Sequence, residues 1–119
     1  MPDEPVLDPE ALAALQAVSP EDGGQFFNEL IDIFLADTPA RVEEIRTGQA
    51  KADAPGVMRA AHSIKGSAGN FGAGPLAQCA YAIEQAARGG DLATVAARLP
   101  ELDREYARVQ AALEAARIR

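Results

Sequence analysis

The sequence predicts an all-α fold, an up-and-down four-helix bundle with one or two short additional helices at its N-terminal end. Three observations carry this. Apolar residues recur at steps of three and four along most of the chain; no segment alternates apolar and polar with the period of a half-buried strand; and Pro and Gly beside Asp, Ser or Thr cut the pattern into helix-length pieces joined by short loops. Helices with one apolar stripe each and short connections bury those stripes by packing antiparallel around a shared core. No repeat recurs at solenoid spacing.

The first start signal is Leu7-Asp8-Pro9, with Asp8 as N-cap, Pro9 at the first helical position and Leu7 placed to staple onto Leu12. Ala11, Leu12, Leu15 and Val18 give a short stripe, predicting a lid helix. Ser19-Pro20-Glu21-Asp22 repeats the signal. Beyond it, Phe27, Leu30, Ile31, Phe34 and Leu35 fall at helical spacing with Phe26 and Ile33 on a second edge, a face wide enough to touch two neighbours. Thr38-Pro39 then predicts a stop or kink and a new cap, with Val42 and Ile45 inward and Arg41, Glu43, Glu44 and Arg46 in solvent.

Gly48 to Ala54 is expected to be a linker, after which Asp53 and Pro55 open a helix running to about Asn70. Gly72-Ala73-Gly74 ends that helix and Pro75 starts another at once, with Leu76, Cys79, Ala80, Ile83 and Ala87 on its stripe. So short a turn makes these two helices antiparallel neighbours. Arg88-Gly89-Gly90 is a stop, and from the N-cap Asp91 a seam of Leu92, Val95, Leu99, Leu102, Tyr106, Val109 and Leu113 follows. Pro100 interrupts the seam, so a kink or break near Leu99 is expected. The chain divides into an N-terminal tail over 1–7 and a single bundle domain over 8–119.

At 119 residues the chain can close one core without staples. A net charge of −7 argues against nucleic acid, which draws on clustered Lys and Arg. No apolar run approaches the roughly 20 residues that span a bilayer, and MPDEPVLDPE lacks the features of a signal peptide. The single cysteine, Cys79, has no disulfide partner within the chain, which suits a reducing, cytoplasmic compartment.

The stretch AAHSIKGSAGNFGA, residues 60–73, holds the only histidine, His62. At about 100° per residue, Val57, Ala60, Ala61, Ile64, Ser67, Ala68 and Phe71 form a broad arc opposite it, the core face. Within roughly 60° of His62 lie Met58, Arg59, Lys65, Gly66 and Gly69. Each helix-interior glycine costs about 1 kcal/mol relative to alanine, and core packing does not call for two of them on the exposed side. They clear space around the ring for something large. A local rule broken without structural gain points to a functional site.

The run His62-Ser63-Ile64-Lys65-Gly66-Ser67-Ala68-Gly69-Asn70-Phe71-Gly72 resembles the phosphoacceptor motif of histidine phosphotransfer (HPt) domains. It carries His, an apolar residue at +2, Lys at +3, Gly at +4, a small residue at +5, an apolar residue at +9 and Gly at +10. It is similar, too, to the corresponding helix of chemotaxis-type histidine kinases, where HSIKG is a common spelling. The resemblance implies a four-helix bundle from Asp8 onward and a phosphoryl group carried on His62 in a bacterial two-component phosphorelay. It implies as partners the receiver domains of response regulators and hybrid kinases, which supply the aspartate and the magnesium ion. Lys65 would neutralise phosphoryl oxygens, and Gly66 would leave room for the receiver.

In this family a glutamine or glutamate on the next helix often accepts from the ring nitrogen that is not phosphorylated. The matching position is Glu84, which either takes that role or is an exposed carboxylate without it. Receiver docking in the family is largely hydrophobic, so Met58, with Arg59 and Gly69 on the same face, is the first candidate contact. Leu12 and Leu15 of the first helix either join it or simply cover the core. Ser67 and Asn70 match the motif as capping and packing residues.

The chain shows no GxxxxGK[ST] loop, no kinase-type glycine loop and no carboxylate cluster for magnesium, so no cofactor, ATP site or enzymatic activity of its own is expected. A metal site is disfavoured because His62 lacks a second ligand one turn away, and Cys79, on an apolar stripe, is better read as core than as a nucleophile. A monomer is expected. Two other readings stay open: a phosphoacceptor domain of a larger kinase, against which the start at Met1 and the end within a helix count weakly, and a non-catalytic helical adaptor that docks on receiver-like partners.

Overall fold

A computed structural model describes residues 5–118. Its elements are α1 (Pro9–Gln16), a 3-10 turn (Pro20–Asp22), α2 (Gln25–Ala50), α3 (Ala54–Asn70), α4 (Gly74–Arg88) and α5 (Leu92–Ala116), with no strand among the described residues. The four long helices form the bundle: α3 packs against α4 and α2, and α5 closes the ring against α4 and α2. Of the two short N-terminal elements, α1 is the lid helix the sequence predicts.

Local chemistry sets the helix starts. Asp8 accepts from the Glu10 amide at 3.0 Å, Asp53 from the Gly56 amide at 3.0 Å and Asp91 from the Thr94 amide at 3.1 Å, each relieving an otherwise orphaned donor of the first turn. Pro9, Pro55 and Pro75 lie in first turns, where a missing N–H removes no bond. At the α3–α4 corner Gly72 has φ of +64°, and a Cβ there would collide with Cβ of Asp8. Only glycine allows both the turn and the approach of the chain entering α1. The Asp8 amide donates to the Phe71 carbonyl at 3.4 Å, holding α1 over this corner.

One continuous core runs through the bundle, including Phe27, Ile31, Ile45, Val57, Ile64, Leu76, Ile83, Val95, Leu102 and Leu113, each at most 1% exposed. Phe34 meets Phe71 edge-on at 5.5 Å and stacks on Tyr106 at 6.2 Å, joining α2, the end of α3 and α5. The end of α5 is tied to the start of α2: the Asn28 side chain bonds both the N–H and the carbonyl of Ile118, and Arg117 pairs with Asp32 at 2.6 Å. Leu7 is buried and Val6 packs against the core, so contact with the bundle begins upstream of Asp8, inside the stretch assigned to the tail. Residues 1–4 of that stretch lie outside the described residues.

Several local expectations are corrected. The Ser19–Asp22 signal makes a 3-10 turn and then two left-handed glycines, so α2 starts at Gln25, where the Asp22 carboxylate accepts from the Gly24 and Phe26 amides. Thr38-Pro39 neither ends a helix nor caps a new one. Helix α2 continues through it, because Phe34, Thr38, Val42 and Ile45 are one buried stripe while Pro39 faces solvent. Burial along the whole stripe outweighs the single hydrogen bond a proline removes.

Gly48 belongs to α2 rather than to a linker: a Cβ there would lie 2.8 Å from Cγ2 of Val57, so the glycine lets α2 and α3 close together. Lys51 to Asp53 forms the actual connection, with Ala52 at φ of +58°. Pro100 likewise lies within a continuous α5 and does not break it. On the second edge of α2, Phe26 is half-buried but Ile33 is 63% exposed.

Candidate functional site

Helix α3 buries Val57, Ala60, Ala61, Ile64 and Ala68, which fixes its rotation and turns His62 outward with its side chain 68% exposed. Both α3 and α4 bury small residues, Ala60, Ala61 and Ala68 on one and Cys79, Ala80 and Ala87 on the other. Small contact residues permit a short interaxial distance. A glutamate on α4 can therefore reach the root of the exposed histidine.

That glutamate is Glu84. Its side chain is only 4% exposed, and it gathers three donors: His62 Nδ1 at 2.9 Å and the Arg88 guanidinium at 3.4 Å on Oε2, and the Lys65 ammonium at 3.0 Å on Oε1. The contact at Oε1 is an ion pair without hydrogen-bond alignment. Lys65 also lies over the Tyr81 ring, 5.1 Å from its centroid. Burial pushes the Glu84 carboxyl toward its neutral form, but the Lys65 and His62 contacts outweigh burial and hold it below the ordinary carboxylate range.

The consequence for the histidine is chemical. An ionised carboxylate only accepts, so Nδ1 carries the proton of the neutral ring. The lone pair is then on Nε2, at the opposite edge of an imidazole whose body is in solvent. A Cβ built on Gly66 or on Gly69 meets no heavy atom within 4 Å. Among the described residues both glycines border open space, and no contact there requires them.

Of the residues predicted from sequence, His62, Lys65 and Glu84 come together in one cluster, with Gly66 and Gly69 exposed beside it. Glu84 is buried, which excludes the reading of it as an exposed carboxylate. Met58 is half-buried and packs against the core. Arg59 is exposed on the other flank, where it lines an open groove between α2 and α3 with Glu43, Glu44, Lys51 and Ser63. Leu12 and Leu15 pack against the core from α1, which is anchored near Phe71 and Gly72, about 15 Å along α3 from His62.

Sequence reasoning missed Arg88 and Tyr81. In the sequence Arg88 reads only as part of a helix stop, yet it stands one turn after Glu84, the spacing of a helical ion pair; Tyr81 stands three residues before Glu84. Cys79 is buried, and burial together with Glu101 pushes its thiol up to about 12, which suits packing rather than nucleophilic work. Among the described residues no three His, Cys, Asp or Glu side chains converge to hold a metal ion, and no helix is long and apolar enough to cross a membrane.

The family model of the Hpt domain matches residues 29–112, which include the whole of this cluster. The chain belongs to the Hpt domain family. It is also similar to a solved structure, the histidine-containing phosphotransfer protein B (HptB) from Pseudomonas aeruginosa PAO1, at 31% identity over 94% of each chain with a TM-score of 0.85. No curated protein sequence gives a significant match. The Hpt bundle thus agrees with the all-helical fold predicted from the sequence.

Proposed function

We propose that this Hpt protein relays a phosphoryl group between His62 and the aspartates of receiver domains in response regulators and hybrid kinases. The observation that carries the reading is the 2.9 Å contact between His62 Nδ1 and a buried, ionised Glu84, which leaves Nε2 as the outward nucleophile. Beside it, Gly66 and Gly69 leave open the space that a docking receiver needs.

In the forward step the Nε2 lone pair attacks the phosphorus of a receiver aspartyl phosphate. The N–P bond forms as the P–O bond breaks, and that electron pair returns to the aspartate carboxylate. No proton is lost, so the ring becomes cationic while keeping its Nδ1–H. Glu84 is placed to stabilise that charge. In the reverse step the neutral ring leaves, and the same hydrogen bond keeps its tautomer ready for another cycle. Magnesium belongs to the receiver, and neither an ATP site nor kinase activity is assigned to this chain.

The test is incubation with a receiver phosphorylated by acetyl phosphate. Acid-labile, alkali-stable label should appear on the wild-type chain and be absent from His62→Gln. Binding of the phosphorylated receiver with no label on the wild type would instead favour the adaptor reading.

A further inference from the structure

Resting on the relay reading, the geometry points to Arg88 as a positioning residue that frees Lys65 to follow the phosphoryl group. In the free protein the Lys65 ammonium is held at 3.0 Å by Oε1 of Glu84 and lies 5.1 Å from the Tyr81 centroid. To neutralise phosphoryl oxygens on Nε2 it must leave that carboxylate. Glu84 is 4% exposed, and a buried carboxylate stripped of its cation is costly.

Arg88 removes that obstacle. Its guanidinium is 3.4 Å from Oε2 of the same carboxylate, it is the last residue of α4, and the carbonyl end of the helix favours a cation there. One buried negative charge thus faces two permanent cations. When transfer makes the ring cationic, three positive charges surround Glu84 while the phosphoryl group outside carries the negative charge. The groups facing this carboxylate are His62 and Lys65 from α3 and Arg88 from α4, with Tyr81 beside Lys65. Lys65, on the same helix as His62 and one turn away, is the cation that moves; Arg88 stays and keeps Glu84 compensated.

The experiment measures the rate of label transfer from a phosphorylated receiver to wild type, Arg88→Ala, Arg88→Lys, Lys65→Ala and the Lys65→Ala/Arg88→Ala double variant. Arg88→Ala should slow transfer about five- to ten-fold in the wild-type background, with less than about two-fold effect once Lys65 is gone, since groups acting through one another are non-additive. Arg88→Lys should recover most of the rate. Equal slowing in both backgrounds, or no slowing of the single variant, overturns the role. The Arg88 side chain is 55% exposed, so its removal should leave the thermal midpoint and helical circular dichroism near wild type. A wild-type chain that accepts no label overturns the relay reading, whereas normal wild-type labelling with additive Arg88→Ala and Lys65→Ala effects overturns this inference alone.

Discussion

His62 and Glu84 are 22 residues apart in sequence, on different helices, yet their side chains meet at 2.9 Å. The contact crosses the α3–α4 seam at the boundary between core and solvent. One partner is nearly sealed and the other mostly free. This asymmetry gives the pair its chemistry: the buried member stays ordered and ionised, and the exposed member presents a defined nitrogen.

Glu84 should therefore control which ring nitrogen reacts. In Glu84→Ala the neutral ring loses its reason to keep the proton on Nδ1, and receiver-dependent labelling should fall by about tenfold or more, the scale on which a metal-bound histidine suffers from losing its orienting partner. Glu84→Gln, whose amide oxygen still accepts, should retain more activity than the alanine variant. Nitrogen-15 ring correlations check the cause directly: the Nδ1–H tautomer should dominate in wild type and lose its dominance in Glu84→Ala. Unchanged tautomers would remove the orienting role.

The glycines make a prediction of opposite sign for stability and for transfer. A methyl group on Gly66 meets nothing among the described residues, so Gly66→Ala should gain about 1 kcal/mol of helix stability and raise the melting temperature by a few degrees. The same methyl stands beside the ring on the face a receiver must approach, so transfer should slow, and Gly66→Leu should slow it further. A stabilised Gly66→Leu protein with wild-type transfer kinetics would show that this face is not the docking surface.

Much of this site is legible in the amino-acid sequence. The core residues Val57, Ala60, Ala61, Ile64 and Ala68 fix the helix rotation by periodicity alone, and that places His62 outward. The sequence could not say where the Lys65 side chain rests, because Glu84 and Tyr81 reach it only after two helices pack. The stop read at Pro39 and the break read at Pro100 do not occur, for a related reason. Local punctuation marks a stop, but whether it holds depends on the buried stripe running past it, as Thr38 and Leu102 show. Gly48 reads as a linker residue in the sequence because its use, admitting Val57, is a tertiary contact.

The Glu84 cluster also predicts an acid-side dependence of stability. Its folded-state pKa lies below the ordinary 4.5, so the unfolded chain binds the proton more readily. The contribution of the ionised cluster is then fully present above about 4.5 and is lost as pH falls through the depressed folded value. Urea midpoints measured from pH 6 down to pH 3 should drop more steeply for wild type than for Glu84→Gln, which has no proton to take up there. Parallel curves would show that the cluster does not couple to folding.

Continuity of α2 through Pro39 is testable by paired substitutions on the same helix. Pro39 is exposed in a helix interior, where proline is about 3 kcal/mol less favourable than alanine, so Pro39→Ala should stabilise the protein by up to about that amount. Gly48 is equally helical, and propensity alone would favour alanine there too. Its added Cβ would stand 2.8 Å from Cγ2 of Val57, however, and forcing α2 and α3 apart at a packed contact costs about 1–3 kcal/mol. Gly48→Ala should therefore destabilise, against its intrinsic preference. Chemical denaturation of both variants decides the matter: a Pro39→Ala protein weaker than wild type would mean that the proline supports a break, and a stabilised Gly48→Ala would mean that the two helices do not approach so closely.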